Sequence, residues 1–217
     1  MEKRVGILMA DLSGYTAMTE VHGDRTAMHV IDTYLQIAQR SLVGESILFE
    51  RVGDQIVIIS EFADDLANTA LELLQNTKAE SHFLSIHAGL HYGTVLENKG
   101  HFFGSTINLA ARLATRAKEN KILCSQDFID ALCTPDSFKM VPQGMIRFKN
   151  VRESKAIFEL HPNLPAQPVN LAIDPVCHMH VDIDKNAVRL QSDEGELYFC
   201  SDECKQIYEQ YHTYPVA

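Results

Sequence analysis

The chain has 217 residues, 46% of them apolar, and carries 19 lysines and arginines against 29 aspartates and glutamates, a formal charge of −10. That length holds one full domain with a small companion and an ordinary core, and the acidity argues against non-specific nucleic-acid binding and against docking on anionic lipid. No apolar run approaches the roughly 18 residues of a membrane span, and Met1-Glu2-Lys3-Arg4 leads into a strand-like stretch without a signal peptide, so a cytoplasmic protein is expected.

Residues 4–10 are an apolar run that predicts a buried strand ending at Asp11. Leu12-Ser13-Gly14-Tyr15-Thr16 then turns into a helix, and Ile31, Tyr34, Leu35, Ala38 and Leu42 give the stretch from Thr26 to about Val43 one apolar face. Strands near 46–51 and 55–60 enclose Gly53-Asp54, an acidic hairpin turn. A second amphipathic helix follows at 62–77. Phe83 to Tyr92 reads as a strand, Gly93 to Leu96 as a turn and the start of a return strand, and 100–104 as a loop. Thr106 to Lys118 is a helix, 121–124 a strand, 126–132 a short helix, and 145–148 and 155–160 are the closing strands. Pro162, Pro165 and Pro168 punctuate a polar linker at 161–172.

Asp11 and Asp54 end adjacent apolar strands, where two carboxylates can hold a divalent metal against a triphosphate. Met9-Ala10-Asp11-Leu12-Ser13-Gly14-Tyr15-Thr16 resembles the opening motif of the class III nucleotidyl cyclases. Val52-Gly53-Asp54 is similar to their hairpin motif, and Ile86-His87-Ala88-Gly89-Leu90-His91-Tyr92-Gly93 to their next core strand. Phe103-Gly104-Ser105-Thr106-Ile107-Asn108-Leu109-Ala110-Ala111-Arg112-Leu113 resembles their catalytic helix, and Phe148-Lys149-Asn150-Val151 their closing segment. The five stretches fall in the family's order over residues 4–160.

The resemblance implies an α+β, ferredoxin-like domain that converts a nucleoside triphosphate to a 3′,5′-cyclic nucleotide and pyrophosphate with Mg²⁺ or Mn²⁺. Asp11 and Asp54, with the carbonyl of Leu12, are then the metal ligands. Asn108 orients the ribose and Arg112 stabilises charge on the α-phosphate. The family's sites are shared between subunits, which implies a head-to-tail homodimer. Glu50 and His101 stand at the base-reading positions and depart from the usual adenylyl pattern. As acceptor and donor they suit guanine, while uracil and the adenine amino group also fit, so the base stays open between ATP, GTP and a pyrimidine nucleotide. Lys149 is a candidate triphosphate contact, without the second lysine that the family places at the position of Val151. These departures also leave room for a non-catalytic nucleotide-binding or dimerising sensor.

Three of the five cysteines crowd the end of the chain in Cys177-His178-Met179-His180 and Cys200-Ser201-Asp202-Glu203-Cys204. An odd cysteine total without an export signal points to thiol or metal chemistry rather than a disulfide framework. Residues 173–217 resemble the YHS domain, a small treble-clef-like metal-associated module, with His178 in place of the usual glycine. Cys177, Cys200 and Cys204 with His180 or His178 would suit Zn²⁺ or another soft metal. The segment's acidity favours cations, and a segment this short gains from a metal what its core cannot supply. Cys124 and Cys133 are expected in the core, and His87 and His91 are expected to be structural.

Overall fold

A computed structural model describes residues 1–149, 151, 153–163, 170–185, 187–193 and 195–213, the side chains of the last two excepted. Half of the expected linker, residues 164–169, therefore lies outside the described residues, as does Asn150 of the closing motif. In chain order, β1 (Glu2–Leu12) leads into α1 (Tyr15–Arg40), and β2 (Ile47–Val52) with β3 (Gln55–Ser60) makes the hairpin. Then come α2 (Ala63–Ala79), β4 (Ile86–Asn98), β5 (His101–Phe103) and α3 (Ser105–Arg116). β6 (Lys121–Ser125), α4 (Gln126–Ile129), β7 (Phe138–Ile146) and β8 (Lys155–Pro162) complete the larger part.

These strands form one sheet in the order β2-β3-β1-β4-β6-β8-β7, with β5 on the end of β4. The pairing β4–β6 is parallel and the others are antiparallel. The first six elements follow the split βαβ pattern of ferredoxin-like folds. β1 is central and buried on both faces, which is why it reads as a continuous apolar run. Leu8, Ala10 and Leu12 face the cluster that contains Met18 and Tyr34 of α1 and Leu66 and Leu73 of α2. Val5, Ile7 and Met9 face Ala110 and Ala114 of α3. Strand alternation therefore puts Asp11 on the α3 face.

Two glycines of β4 set the depth of α3. A Cβ on Gly89 would stand 2.3 Å from the backbone nitrogen of Ala114 and 2.5 Å from the carbonyl of Ala110. One on Gly93 would stand 2.7 Å from Thr106 Oγ1. Gly93 is thus not the turn that the sequence suggests: it pairs with Val5 inside an unbroken β4 because the helix needs its missing side chain. Residues expected as a loop form β5, which pairs Leu96 with Phe103 across a turn where Lys99 and Gly100 both take positive φ. β7 is longer than expected, since Pro142 and Gly144 interrupt the pattern at a bulge without ending the strand. Cys124 is buried, but Cys133 is exposed: it lies on the loop after α4, where its amide donates to Asp64.

Helix α1 starts earlier than the periodicity indicates and breaks at Gly23, whose φ of 77° and ψ of 170° suit glycine alone. The helix consequently has a short first arm that ends at His22. No helix among the described residues is long and apolar enough to cross a membrane.

The C-terminal stretch contains two two-stranded antiparallel sheets and a helix. β9 (Leu171–Ile173) pairs with β10 (His180–Asp182), β11 (Val188–Ser192) pairs with β12 (Gly195–Phe199), and α5 (Asp202–Thr213) follows. Its buried Cys177, Met179, Phe199 and Cys204 join the apolar cluster under α1. Backbone also ties it down, through a bridge between Leu84 and Met179 and a 2.7 Å bond from the His180 amide to the Phe83 carbonyl. Gly14 lies so close beneath it that a Cβ there would be 2.3 Å from the Cβ of His178.

Candidate active site and a second ligand cluster

Register brings the two aspartates together. β1 pairs Ala10 with Ile56 of β3, so Asp11 lies beside the β2–β3 turn that carries Asp54. Gly53 supplies that turn's positive φ, and Arg51 donates to its carbonyl at 2.6 Å. Burial, and next the Asp54 carboxylate, hold Asp11 above the usual carboxylate range, while His87 pulls it down. Asp11 Oδ1 is buried without a hydrogen-bond partner among the described residues. An orphaned carboxylate oxygen beside a second carboxylate fits a hard divalent cation, which would satisfy the oxygen and offset the repulsion. Leu12 ends β1, is buried, and turns its amide toward the Asp11 carboxylate.

Two further residues frame this pair. His87 pairs with Asp11 in the β1–β4 register. Its Nδ1 donates to the carbonyl of Ala114 at 2.8 Å, which leaves Nε2 facing Asp11 Oδ2 at 3.9 Å. It therefore bridges α3 to the aspartate, a role that its position on a strand face did not reveal. Tyr34 is fully buried with a hydroxyl that has no partner among the described residues, and burial, then Asp11 and Asp54, push its ionisation well above the usual phenol range.

Helix α3 buries Leu109, Ala110, Leu113 and Ala114 and leaves Asn108 and Arg112 exposed, one turn apart on its outer face. Neither side chain makes a hydrogen bond or ion pair within the described residues, and neither is joined to the aspartate pair. Lys149 is exposed beside the buried Phe148, which packs with Leu109 and Leu113 of α3. Glu50 and His101 are both exposed. Each adjoins one ring of the Phe49–Phe102 stack, whose centroids are 4.7 Å apart, so the rings link β2 and β5 although the two strands do not pair.

The cysteines converge as expected, but on a different histidine. Cys200 Sγ lies 3.5 Å from Cys177 Sγ and 3.6 Å from Cys204 Sγ. His22 Nε2 lies 3.5 Å from Cys200 Sγ and 3.6 Å from Cys204 Sγ, and the four ligand atoms fall within 4.8 Å of one another. His180 stands elsewhere: its Nε2 bonds Ser85 Oγ at 2.8 Å, and burial lowers its pKa to about 4. The β9–β10 pairing and the bond to Phe83 direct it toward the large sheet rather than the thiols. His178, at φ 62°, faces Glu119 at 3.7 Å. Within the cluster Cys177 is held far above the usual thiol range by its hydrogen bonds to Cys200 and Cys204, and Cys204 far below it by accepting from Cys177 and then Cys200.

Residues 1–162 match the family model of the adenylate and guanylate cyclase catalytic domain. An uncharacterized protein of Mycobacterium tuberculosis is 33% identical over 162 residues, which cover 73% of this chain and 41% of that protein. A pH-sensitive adenylate cyclase of Mycobacterium tuberculosis is 25% identical over the same shares. The chain thus spans about two fifths of the length of these curated relatives. Among solved structures, the guanylate cyclase domain of RhGC from Catenaria anguillulae with GTP superposes with a TM-score of 0.63 at 19% identity, over 75% of this chain and 98% of that one. The adenylyl cyclase CyaB from P. aeruginosa gives 0.62 at 17%, over 77% and 98%. Both structures share the fold.

Proposed function

The chain belongs to the adenylate and guanylate cyclase catalytic domain family, and from that premise we propose that it is a nucleotidyl cyclase. It converts a nucleoside triphosphate, ATP or GTP, to a 3′,5′-cyclic nucleotide and pyrophosphate. The observation that carries this reading is the Asp11–Asp54 pair, with its unpartnered buried oxygen at the end of the central strand.

Asp11 and Asp54, with the Leu12 carbonyl, would hold Mg²⁺ or Mn²⁺, which supplies Lewis-acid activation of the ribose 3′-hydroxyl and neutralises the triphosphate. The remaining work falls to side chains. Arg112 places a guanidinium where charge develops on the α-phosphate, and Asn108 fixes the ribose so that its oxygen meets the phosphorus in line. Lys149 attracts the outer phosphates, and Glu50 and His101 read the base edge. Because Asn108 and Arg112 face outward without partners, the reading is that they complete the site of a second copy in a homodimer. The Leu96–Phe103 pair, with both side chains more than half exposed near the start of α3, offers that copy apolar surface. We read residues 1–160 as the cyclase domain and 173–217 as a YHS-like, treble-clef-like module that regulates it through a soft metal.

The test is turnover of the purified chain with Mn²⁺ and each of ATP, GTP, CTP and UTP, the products being resolved by mass. One cyclic product, lost in Asp54→Ala and Arg112→Ala, supports the enzyme and names its base. Absence of product from all four nucleotides with an intact dimer would replace it with the non-catalytic sensor.

A further inference from the structure

We propose that His22, Cys177, Cys200 and Cys204 form a tetrahedral site for a thiophilic divalent cation of the zinc class, split between the cyclase fold and the C-terminal segment, so that the ion clamps the segment onto the stretch between Asp11 and His22. The inference deepens the regulatory part of the reading above, and its test needs no turnover.

The spacing is the first argument. Zinc–sulfur bonds of about 2.3 Å and zinc–nitrogen bonds of about 2.0 Å put the edges of a coordination tetrahedron at about 3.8 Å between sulfurs and about 3.5 Å between nitrogen and sulfur. The four closest edges here are 3.5–3.6 Å. They are far longer than a disulfide bond of about 2.05 Å. Three sulfurs and one imidazole suit a soft or borderline cation and not the hard ion that suits Asp11 and Asp54.

The surroundings are those of a built site. Asp174 is completely buried, and its carboxylate accepts from the amides of Val176, Cys177 and Cys200, locking the backbone on both sides of the thiols. Ser201 Oγ accepts from the amide of Cys204 at 3.2 Å and fixes the first turn of α5. An open cavity of about 360 Å³ lined by His22, His29, His82 and Cys200 gives the cation an entry path. His22 itself is presented by the break at Gly23, which ends the first arm of α1 beside the thiols.

The location decides what the ion would do. Only ten residues separate Asp11 from His22. Gly14 within this stretch packs directly under His178, and the Ser13 amide bonds the carbonyl of Ser85, whose side chain holds His180. One stretch of backbone is therefore pinned at one end by the aspartate pair and at the other by the thiol cluster.

The experiment uses the full chain, reduced and stripped of metal, titrated with Co²⁺ as a spectroscopic stand-in and then with Zn²⁺. One equivalent of Co²⁺ should give sulfur-to-cobalt charge transfer with intense tetrahedral ligand-field bands, displaced by one equivalent of Zn²⁺. His22→Ala, on a half-buried helical position, should shift the ligand-field bands and weaken affinity by more than the roughly 10- to 100-fold expected from losing an outer-shell partner. Cys204→Ser should lower the charge-transfer intensity. Amide exchange in residues 13–22 should slow on Zn²⁺ addition in the parent chain and stay unchanged in His22→Ala. Absence of tetrahedral cobalt, or bands and affinity identical in His22→Ala, would overturn the site. Binding without slower exchange in residues 13–22 would overturn the clamp.

Discussion

The two ligand clusters are built on opposite terms. Asp11 stands near the end of the central strand of an eight-stranded sheet with apolar layers on both faces, and strand register brings it beside the β2–β3 turn that carries Asp54. The thiol cluster joins one helix arm to a segment of two short hairpins and a helix, with few fully buried side chains of its own. On the proposed readings, the difference separates a cation that would act as a reagent from one that would act as a structural part. Asp11 is seated by the sheet and Asp54 by its turn, and the Asp54 carboxylate disfavours charge on Asp11. In the proposed site an ion would add a link from His22 of α1 to the thiols, beside the backbone and apolar contacts that already join the segment to the sheet.

The largest expected effect separates chemistry from folding. Asp54→Ala and Arg112→Ala should each cut turnover by about 10²- to 10³-fold or more, while thermal midpoints change little, since Arg112 is exposed and Asp54→Ala removes a partly buried carboxylate that repels Asp11. Mixing the two inactive variants then probes the shared site. If the proposed homodimer shares its sites, a heterodimer holds one intact site and refolding an equal mixture should return about a quarter of parental activity; no recovery would count against shared sites.

Next comes the support beneath α3. Gly89→Ala drives a Cβ into the backbone of Ala110 and Ala114 and should destabilise the sheet by about 3 kcal/mol in urea unfolding, with turnover falling as Asn108 and Arg112 move. Full stability in that variant would mean that α3 is not seated as described. Metal removal should act on the other region: a zinc chelator should speed amide exchange across residues 171–211 and leave β1, β3 and β4 protected. Equal loss in both would erase the contrast.

Last comes a pH slope, felt only as the chain is acidified. Burial lowers His91 from 6.5 to about 4, with Nδ1 bonded to Ser125 at 2.7 Å. The unfolded chain then binds a proton that the folded one refuses between those values. Its contribution is complete above pH 6.5 and is lost as pH falls toward 4, up to about 3 kcal/mol. His91→Gln should flatten that part of the acid limb in denaturant titrations; an unchanged slope would place the acid sensitivity elsewhere.

Much of this was legible in the residues. The apolar run before Asp11, the Gly53-Asp54 turn and the Asn108/Arg112 spacing are local patterns, and each lies on the element that its pattern predicts. Gly93 misled because a turn glycine and a glycine left bare for a packed helix look the same in one dimension. His180 misled because it is next in sequence to the thiols, whereas its strand register turns it toward Ser85.

The sequence by itself determined most of the elements and the family's motifs, and it offered two classes of candidate donor, since periodicity and residue chemistry are properties of short stretches. Only the tertiary structure decided other meetings of distant groups: His87 with Asp11, and His22 with three cysteines more than 150 residues away. Such meetings depend on strand register, on helix depth and on the break at Gly23, and these are set by the packing of the whole chain.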